Sequence, residues 1–184
     1  MKFTPQEIPD IILVEPNLHG DFRGYFAETF RQDLFNAAVG SIVNFVQDNE
    51  SKSSKGVLRG LHYQVSPYSQ SKLVKVIEGS VLDVSVDIRR SSPTFGHHVA
   101  IELSSDNKKQ LFVPKGFAHG FVVLSDSATF TYKVDSLYAQ EYERGIACDD
   151  NDLKINWQLS SDILKLSNKD QNNPSLSNAK DLFD

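Results

Sequence analysis

A chain of 184 residues, 40% of them hydrophobic and 23% charged, is long enough for one good core and lies outside the disordered, collagen-like and coiled-coil compositions. Its formal net charge of −5 opposes a general attraction to nucleic acid or an anionic membrane, so an anionic ligand must be held by a few placed cations. The one cysteine, Cys148, forms no intrachain disulfide, no apolar run can span a bilayer, and the start Met1-Lys2-Phe3-Thr4-Pro5 lacks the apolar stretch of a secretory signal; a cytoplasmic protein with a single domain over residues 1–184 is expected.

Short β-branched runs between turn clusters dominate from Ile11 to Val134, the pattern of a sandwich or barrel. Strands are predicted over residues 11–15 and 25–30. Leu34, Phe35 and Ala38 stand at helical spacing before Gly40 and predict a short helix over residues 31–39. Further strands follow at 43–47, 57–64 and 72–77, and Gly79 between the last of these and the next run suggests a hairpin. In that next run Leu82, Val84, Val86 and Ile88 alternate with Asp83, Ser85 and Asp87, which predicts a half-buried strand with one dry and one wet face. Strands over 99–103, 110–113, 121–124 and 128–134 complete the set. Beyond Asn151 the apolar residues Trp157, Leu159, Ile163, Leu164 and Leu166 are expected to pack a tail onto the barrel, ahead of a polar, turn-rich stretch over 167–178.

Chemistry-bearing residues gather in Gly56-Val57-Leu58-Arg59-Gly60-Leu61-His62-Tyr63-Gln64, in Val113-Pro114-Lys115-Gly116-Phe117-Ala118-His119-Gly120-Phe121 and in Phe130-Thr131-Tyr132-Lys133. The first two resemble the paired motifs of cupin barrels. Metal-binding cupins carry in the first motif two histidines two residues apart and a glutamate; here Gln64 follows His62 at that spacing and no glutamate occurs before Glu78. A transition metal wants three or more protein ligands, and His62 with His119 supplies two. No metal is therefore expected, and an uncoordinated imidazole at a barrel mouth suits acid–base work.

Those stretches, together with Gly20-Asp21-Phe22-Arg23-Gly24-Tyr25-Phe26, Gln47-Asp48-Asn49, Gln70-Ser71-Lys72-Leu73-Val74, Asp87-Ile88-Arg89, Ser92-Pro93-Thr94-Phe95-Gly96 and Leu166-Ser167-Asn168-Lys169-Asp170, resemble the dTDP-4-dehydrorhamnose 3,5-epimerase family in order over nearly the whole chain. The resemblance implies an all-β cupin, or jelly-roll, barrel with a few short helices. It also implies a homodimer that exchanges N-terminal strands, a dTDP-sugar substrate, no cofactor, and a place in rhamnose supply for cell-surface polysaccharide. Nucleic acid and membrane are not expected partners. In a 4-keto sugar the carbonyl acidifies the hydrogens on C3 and C5, so a base and a cation beside the enolate suffice.

By resemblance His62 is the base, Asp170 orients it, Lys72 stabilises the enolate and Tyr132 returns a proton. Arg23, Arg59 and His119 approach the phosphates and sugar; Glu28, Gln47 and Asn49 hold the nucleoside; Tyr138 stacks on thymine; Phe26, Asp48, Glu143 and Lys169 are further substrate-binding positions. Strand parity independently turns Tyr132 inward with Ala128 and Phe130, and Lys72 inward with Val74 and Val76. Arg59 and His62 differ in parity and share a face only if Gly60 introduces a bulge. Taken singly each of these residues has an ordinary structural role; their joint occurrence in family order outweighs that. Alternatives are a 3- or 5-monoepimerase, a 3,4-ketoisomerase, a metal-dependent cupin oxygenase and a non-catalytic sugar-binding cupin. Asn168 and residues 147–152 depart from the family's pattern.

Overall fold

Alternating apolar residues between closely spaced turns produce thirteen strands and little helix in the computed structural model, which describes residues 1–184. In chain order these are β1 (Lys2–Pro5), β2 (Ile12–Glu15), β3 (His19–Asp21), β4 (Gly24–Phe26), α1 (Gln32–Val39), β5 (Gln47–Ser54), β6 (Leu58–Gln64), β7 (Lys72–Glu78), β8 (Ser80–Asp87), β9 (His98–Ser104), β10 (Gln110–Val113), β11 (Phe117–Val123), β12 (Ser127–Val134), β13 (Glu143–Gly145) and α2 (Asn168–Gln171). A six-stranded sheet in the order β1-β2-β10-β7-β12-β5 faces a five-stranded sheet in the order β13-β6-β11-β8-β9, every pairing antiparallel, and β3 with β4 forms a separate hairpin. The expected all-β barrel is present.

Three apolar clusters hold it together. Val74, Val76, Val81, Leu111, Val113, Phe117, Phe121 and Phe130 fill the lumen between the sheets. Phe35 of α1 covers Ile12, Val14, Leu73 and Phe112 on the outer face of the larger sheet, as the Leu34, Phe35, Ala38 spacing and the αL cap at Gly40 anticipated. The segment after Ile146 covers Leu58, Leu82, Val84, Val86 and Ala118 on the outer face of the other sheet with Leu153, Trp157, Leu176 and Ala179. The divergent residues 147–152 anchor that cover: Cys148 O accepts from Trp157 Nε1 at 2.8 Å, and Asp150 Oδ2 accepts from the Leu176 N–H at 2.6 Å.

Four expectations are corrected. Gly79 closes no hairpin, because β7 pairs with β10 and β12 whereas β8 pairs with β9 and β11, so the turn carries the chain from one sheet to the other. At φ +77°, a Cβ on Gly79 would lie 2.1 Å from Ser127 O, so the crossing requires glycine. The polar face of β8 is not wet: Asp83, Ser85 and Asp87 are fully buried in the lumen, and the apolar face is the outer one, kept dry by the tail. Of the strand expected over residues 43–47, residues 43–46 form none, since side chains of α1 satisfy Val43, Asn36 Oδ1 accepting from its N–H and Gln32 Nε2 donating to its carbonyl. The strand starts at Gln47 instead. Finally, pairing over 25–30 stops at Phe26, and the β3–β4 hairpin stands away from the barrel with Phe22 98% exposed.

Candidate functional site

A cavity of about 490 Å³ opens in the lumen, walled by Lys72, Phe130 and Tyr132 from the larger sheet and by Arg59, His62, His119 and Phe121 from the smaller. Its apolar floor is the stacked pair Phe121 and Phe130, ring centroids 4.1 Å apart. Parity alone would separate Arg59 from His62. Pairing along β6 and β11 runs His119 to His62 but Phe121 to Arg59, so β6 carries one extra residue at Gly60 and both side chains turn inward. Gly60 has φ +133°, and a Cβ there would lie 2.5 Å from Gly120 Cα. The bulge therefore needs a glycine in each strand.

His62 is backed by Asp170, Nε2 to Oδ1 2.5 Å. Asp170 is buried near the start of α2, where its N–H donates to Ser167 Oγ at 3.2 Å. Burial opposes its ionisation, but the hydrogen bond and charge of His62, then Ser167 and Lys169, hold the carboxyl below the usual range. Lys72 emerges where β7 begins; burial pushes its ammonium down to about 8, against the opposing pull of Asp83 and Glu143. Burial raises the Tyr132 phenol, helped by the Glu143 charge, so it stays protonated at neutral pH. Hence a carboxylate-backed imidazole on one wall faces a protonated phenol and an ammonium on the other.

The remaining predicted residues fall into three places. At the cavity mouth Arg59 donates to Ser53 Oγ at 3.1 and 3.2 Å, while Glu143 joins Tyr138 Oη at 2.8 Å and Lys169 Nζ at 2.6 Å. Gln47 bridges Asn49 Oδ1 at 2.7 Å and the Tyr138 N–H at 3.2 Å. Asp48 points to the other face of β5, onto Lys133 at 2.9 Å. Arg23, Phe26 and Glu28 do not reach this chain's cavity: Arg23 and Phe26 lie on the protruding hairpin, Arg23 paired with Asp21, and Glu28 sits 4.0 Å from Arg31.

One functional-site residue escaped the sequence reading. His119 is backed by Asp83, Nε2 to Oδ2 2.8 Å, deep in the lumen. The signal was the acidic residue in the β8 alternation, and it was misassigned to solvent. Gln64 turns from the cavity to bond Tyr68 O, Leu137 O and the Ala139 N–H, and no three His, Cys, Asp or Glu side chains gather as a ligand set.

Residues 5–178 match the family model described as dTDP-4-dehydrorhamnose 3,5-epimerase. The chain is 54% identical over 172 residues to the dTDP-4-dehydrorhamnose 3,5-epimerase of Shigella flexneri, covering 94% of each. It is 51% identical over 179 residues to that of Pseudomonas aeruginosa, covering 97% of this chain and 98% of the relative. Its fold matches a Legionella pneumophila dTDP-6-deoxy-D-glucose-3,5-epimerase in complex with dTDP-4-keto-L-rhamnose, with TM-score 0.93, 46% identity and coverage of 97% and 94%. A 3'-monoepimerase from Streptomyces bikiniensis in complex with dTDP-quinovose is also similar, with TM-score 0.87, 35% identity and coverage of 94% and 87%.

Proposed function

The chain belongs to the dTDP-4-dehydrorhamnose 3,5-epimerase family, and from that premise we propose that it converts dTDP-4-dehydro-6-deoxy-D-glucose into dTDP-4-dehydro-L-rhamnose. The observation that carries the reading is the placement of His62 and Tyr132 on facing walls of one cavity, one on each sheet. Inversion needs a proton removed from one face of a carbon and another delivered to the opposite face, which a single group does poorly.

In this reading His62, oriented by Asp170, takes the proton from C3 or C5. The C–H electron pair becomes the carbon–carbon double bond of an enolate and the ketone electrons settle on O4. Lys72 stabilises that oxyanion, and Tyr132 delivers a proton to the other face of the carbon. Once His62 has released its proton to solvent and Tyr132 has regained one, the step is repeated at the second carbon. Substrate and product have the same oxidation level, so the chemistry requires no redox cofactor.

Arg59 suits the diphosphate, since a guanidinium presents paired donors to phosphate oxygens. Gln47, Asn49, Tyr138, Glu143 and Lys169 form the nucleoside and sugar rim, with His119 beside the sugar. Arg23, Phe26 and Glu28 serve the site of a second copy in a cytoplasmic homodimer. The exposed Phe22, Tyr25 and Phe26 on the hairpin support that assignment, because such a cluster gains from a partner surface. No helix is long and apolar enough to cross a membrane.

The test is turnover of dTDP-4-dehydro-6-deoxy-D-glucose in heavy water with the label read separately at each carbon. Deuterium at both C3 and C5 with an L-rhamno product is expected. Label at one carbon alone would make the chain a monoepimerase, as the Streptomyces bikiniensis relative is described to be.

A further inference from the structure

Gln64 has no duty in the proposed mechanism, although it stands two residues beyond His62 on β6. It is 4% exposed and its amide is fully used: Nε2 donates to Tyr68 O at 2.6 Å and to Leu137 O at 3.2 Å, and Oε1 accepts from the Ala139 N–H at 2.8 Å. Two of the three bonds therefore bracket Tyr138. The bracketed segment has little else to hold it. Residues 136–138 make no hydrogen bond to another backbone group, and the side chains of Leu137 and Tyr138 are more than half exposed. Side chains answer the backbone instead. Gln70 Nε2 donates to Ser136 O at 2.8 Å, Gln47 Oε1 accepts from the Tyr138 N–H at 3.2 Å, and Gln64 takes the groups on either side of it. Of these three glutamines only Gln64 is buried, so its bonds are the ones shielded from competing water. The far end of the Tyr138 ring is tied to the same place: Oη donates to Glu143 Oε2 at 2.8 Å, and Glu143 is the register partner of Gln64 on β13.

We propose that Gln64 is a positioning residue for nucleoside recognition: it holds residues 137–139 so that the Tyr138 ring already stands at the cavity rim when the thymine base arrives. This rests on the epimerase reading and adds a residue to it. It also gives a use to the place where metal-binding cupins carry their second histidine. An amide there answers two carbonyls and an N–H at once, which an imidazole could not do while ligating a metal. Without the clamp, binding has to order the segment as well as stack the base, and affinity falls.

The experiment is a double-mutant cycle on the dissociation constant of dTDP, measured by titration calorimetry for wild type, Gln64→Met, Tyr138→Ala and the double variant, with kcat and KM for dTDP-4-dehydro-6-deoxy-D-glucose on the same proteins. Gln64→Met keeps the length of the side chain, removes all three bonds and should weaken dTDP about tenfold. Tyr138→Ala should weaken it about tenfold or more, as the loss of a base–aromatic stack does. Adding Gln64→Met to Tyr138→Ala should then cost less than about a further twofold, because the ring it positions is gone. In Gln64→Met the KM should rise with the dTDP constant while kcat stays within about twofold. A purely structural role would lower the melting temperature or the active fraction and leave the affinity of the folded protein unmoved. Unchanged dTDP affinity in Gln64→Met, or effects of the two substitutions that simply multiply, overturns the proposal. If Gln64→Met does not fold, Gln64→Asn, whose amide falls one methylene short of its partners, decides by the same comparison. Wild-type protein that binds no dTDP refutes the epimerase reading; wild-type binding with an unaffected or independent Gln64 variant refutes the role of Gln64 only.

Discussion

Replacing Lys72 with methionine should make the protein more stable and nearly inactive. The side chain keeps its length and apolar stem but loses a charge that the fold disfavours. Burial lowers the ammonium from 10.5 to about 8 even with Asp83 and Glu143 pulling the other way, which amounts to about 3 kcal/mol against the charged form in the folded state. Because the folded pKa lies below the unfolded one, the unfolded chain binds the extra proton between pH 8 and 10.5. Stability therefore rises with pH across that window, and the full penalty applies below it. Lys72→Met escapes the penalty, so at pH 7 it should gain up to about 3 kcal/mol, or roughly 6–12 °C in melting temperature for a chain of this size. The advantage should shrink as pH approaches 10.5. Thermal unfolding of ligand-free protein at pH 7 and pH 10, with deuterium wash-in on the same samples, tests both halves. A variant that melts below wild type at pH 7, or that keeps its rate instead of losing about 10²-fold or more, refutes the reasoning.

His62→Ala should abolish deuterium uptake at both carbons, a loss of about 10²–10⁴-fold, whereas Tyr132→Phe should retain exchange and lose inversion; normal inversion in the latter would reverse the assigned roles. Asp87 shares the sign of the Lys72 pH dependence but at the acid end, stability rising with pH: burial resists its ionisation, but hydrogen bonds from Arg89, Ser92 and Thr94 hold it at about 2. Its folded pKa is depressed, so about 2 kcal/mol of stability is fully present above pH 3.8 and is lost as pH falls toward 2. Asp87→Asn should accordingly melt below wild type at pH 7 and converge with it near pH 2, as circular dichroism would register. Sedimentation equilibrium at micromolar concentration should give a dimer, and a strict monomer would sink the exchange of Arg23, Phe26 and Glu28 between copies.

Clean alternation located β8, and short apolar or β-branched runs between turn residues located β2, β6, β7, β9, β10 and β12, each to within two residues. Alternation says that two faces differ, not which of them is inside. In β8 the apolar face meets a tail more than sixty residues further along the chain, and no local pattern announces that cover. The polar edge strand β5, Gln-Asp-Asn-Glu-Ser-Lys-Ser-Ser, carries no apolar residue to register in such a scan, yet its pairing with β12 is continuous over eight positions. Lys72 and Tyr132 were legible from parity, and Arg59 with His62 from parity plus a glycine able to host a bulge. Asp170 was not: it lies 108 residues from His62, and only the family resemblance pointed to it.

The segment that seals the outer face of the smaller sheet is also the segment that delivers Asp170 to His62. Backbone bonds from Lys165 to Gly56 and from Leu58 to Lys165 before α2, and from Phe183 to Ile88 after it, stitch it to the barrel on both sides of α2. Mutational drift in its packing residues is therefore screened twice. A change at Trp157 or Leu176, far from any sugar atom, loosens the covering layer and with it the alignment of the carboxylate behind the imidazole. Robustness and turnover cannot be tuned independently along this stretch, so neutral variation should concentrate in its exposed positions and avoid the apolar ones that touch no ligand.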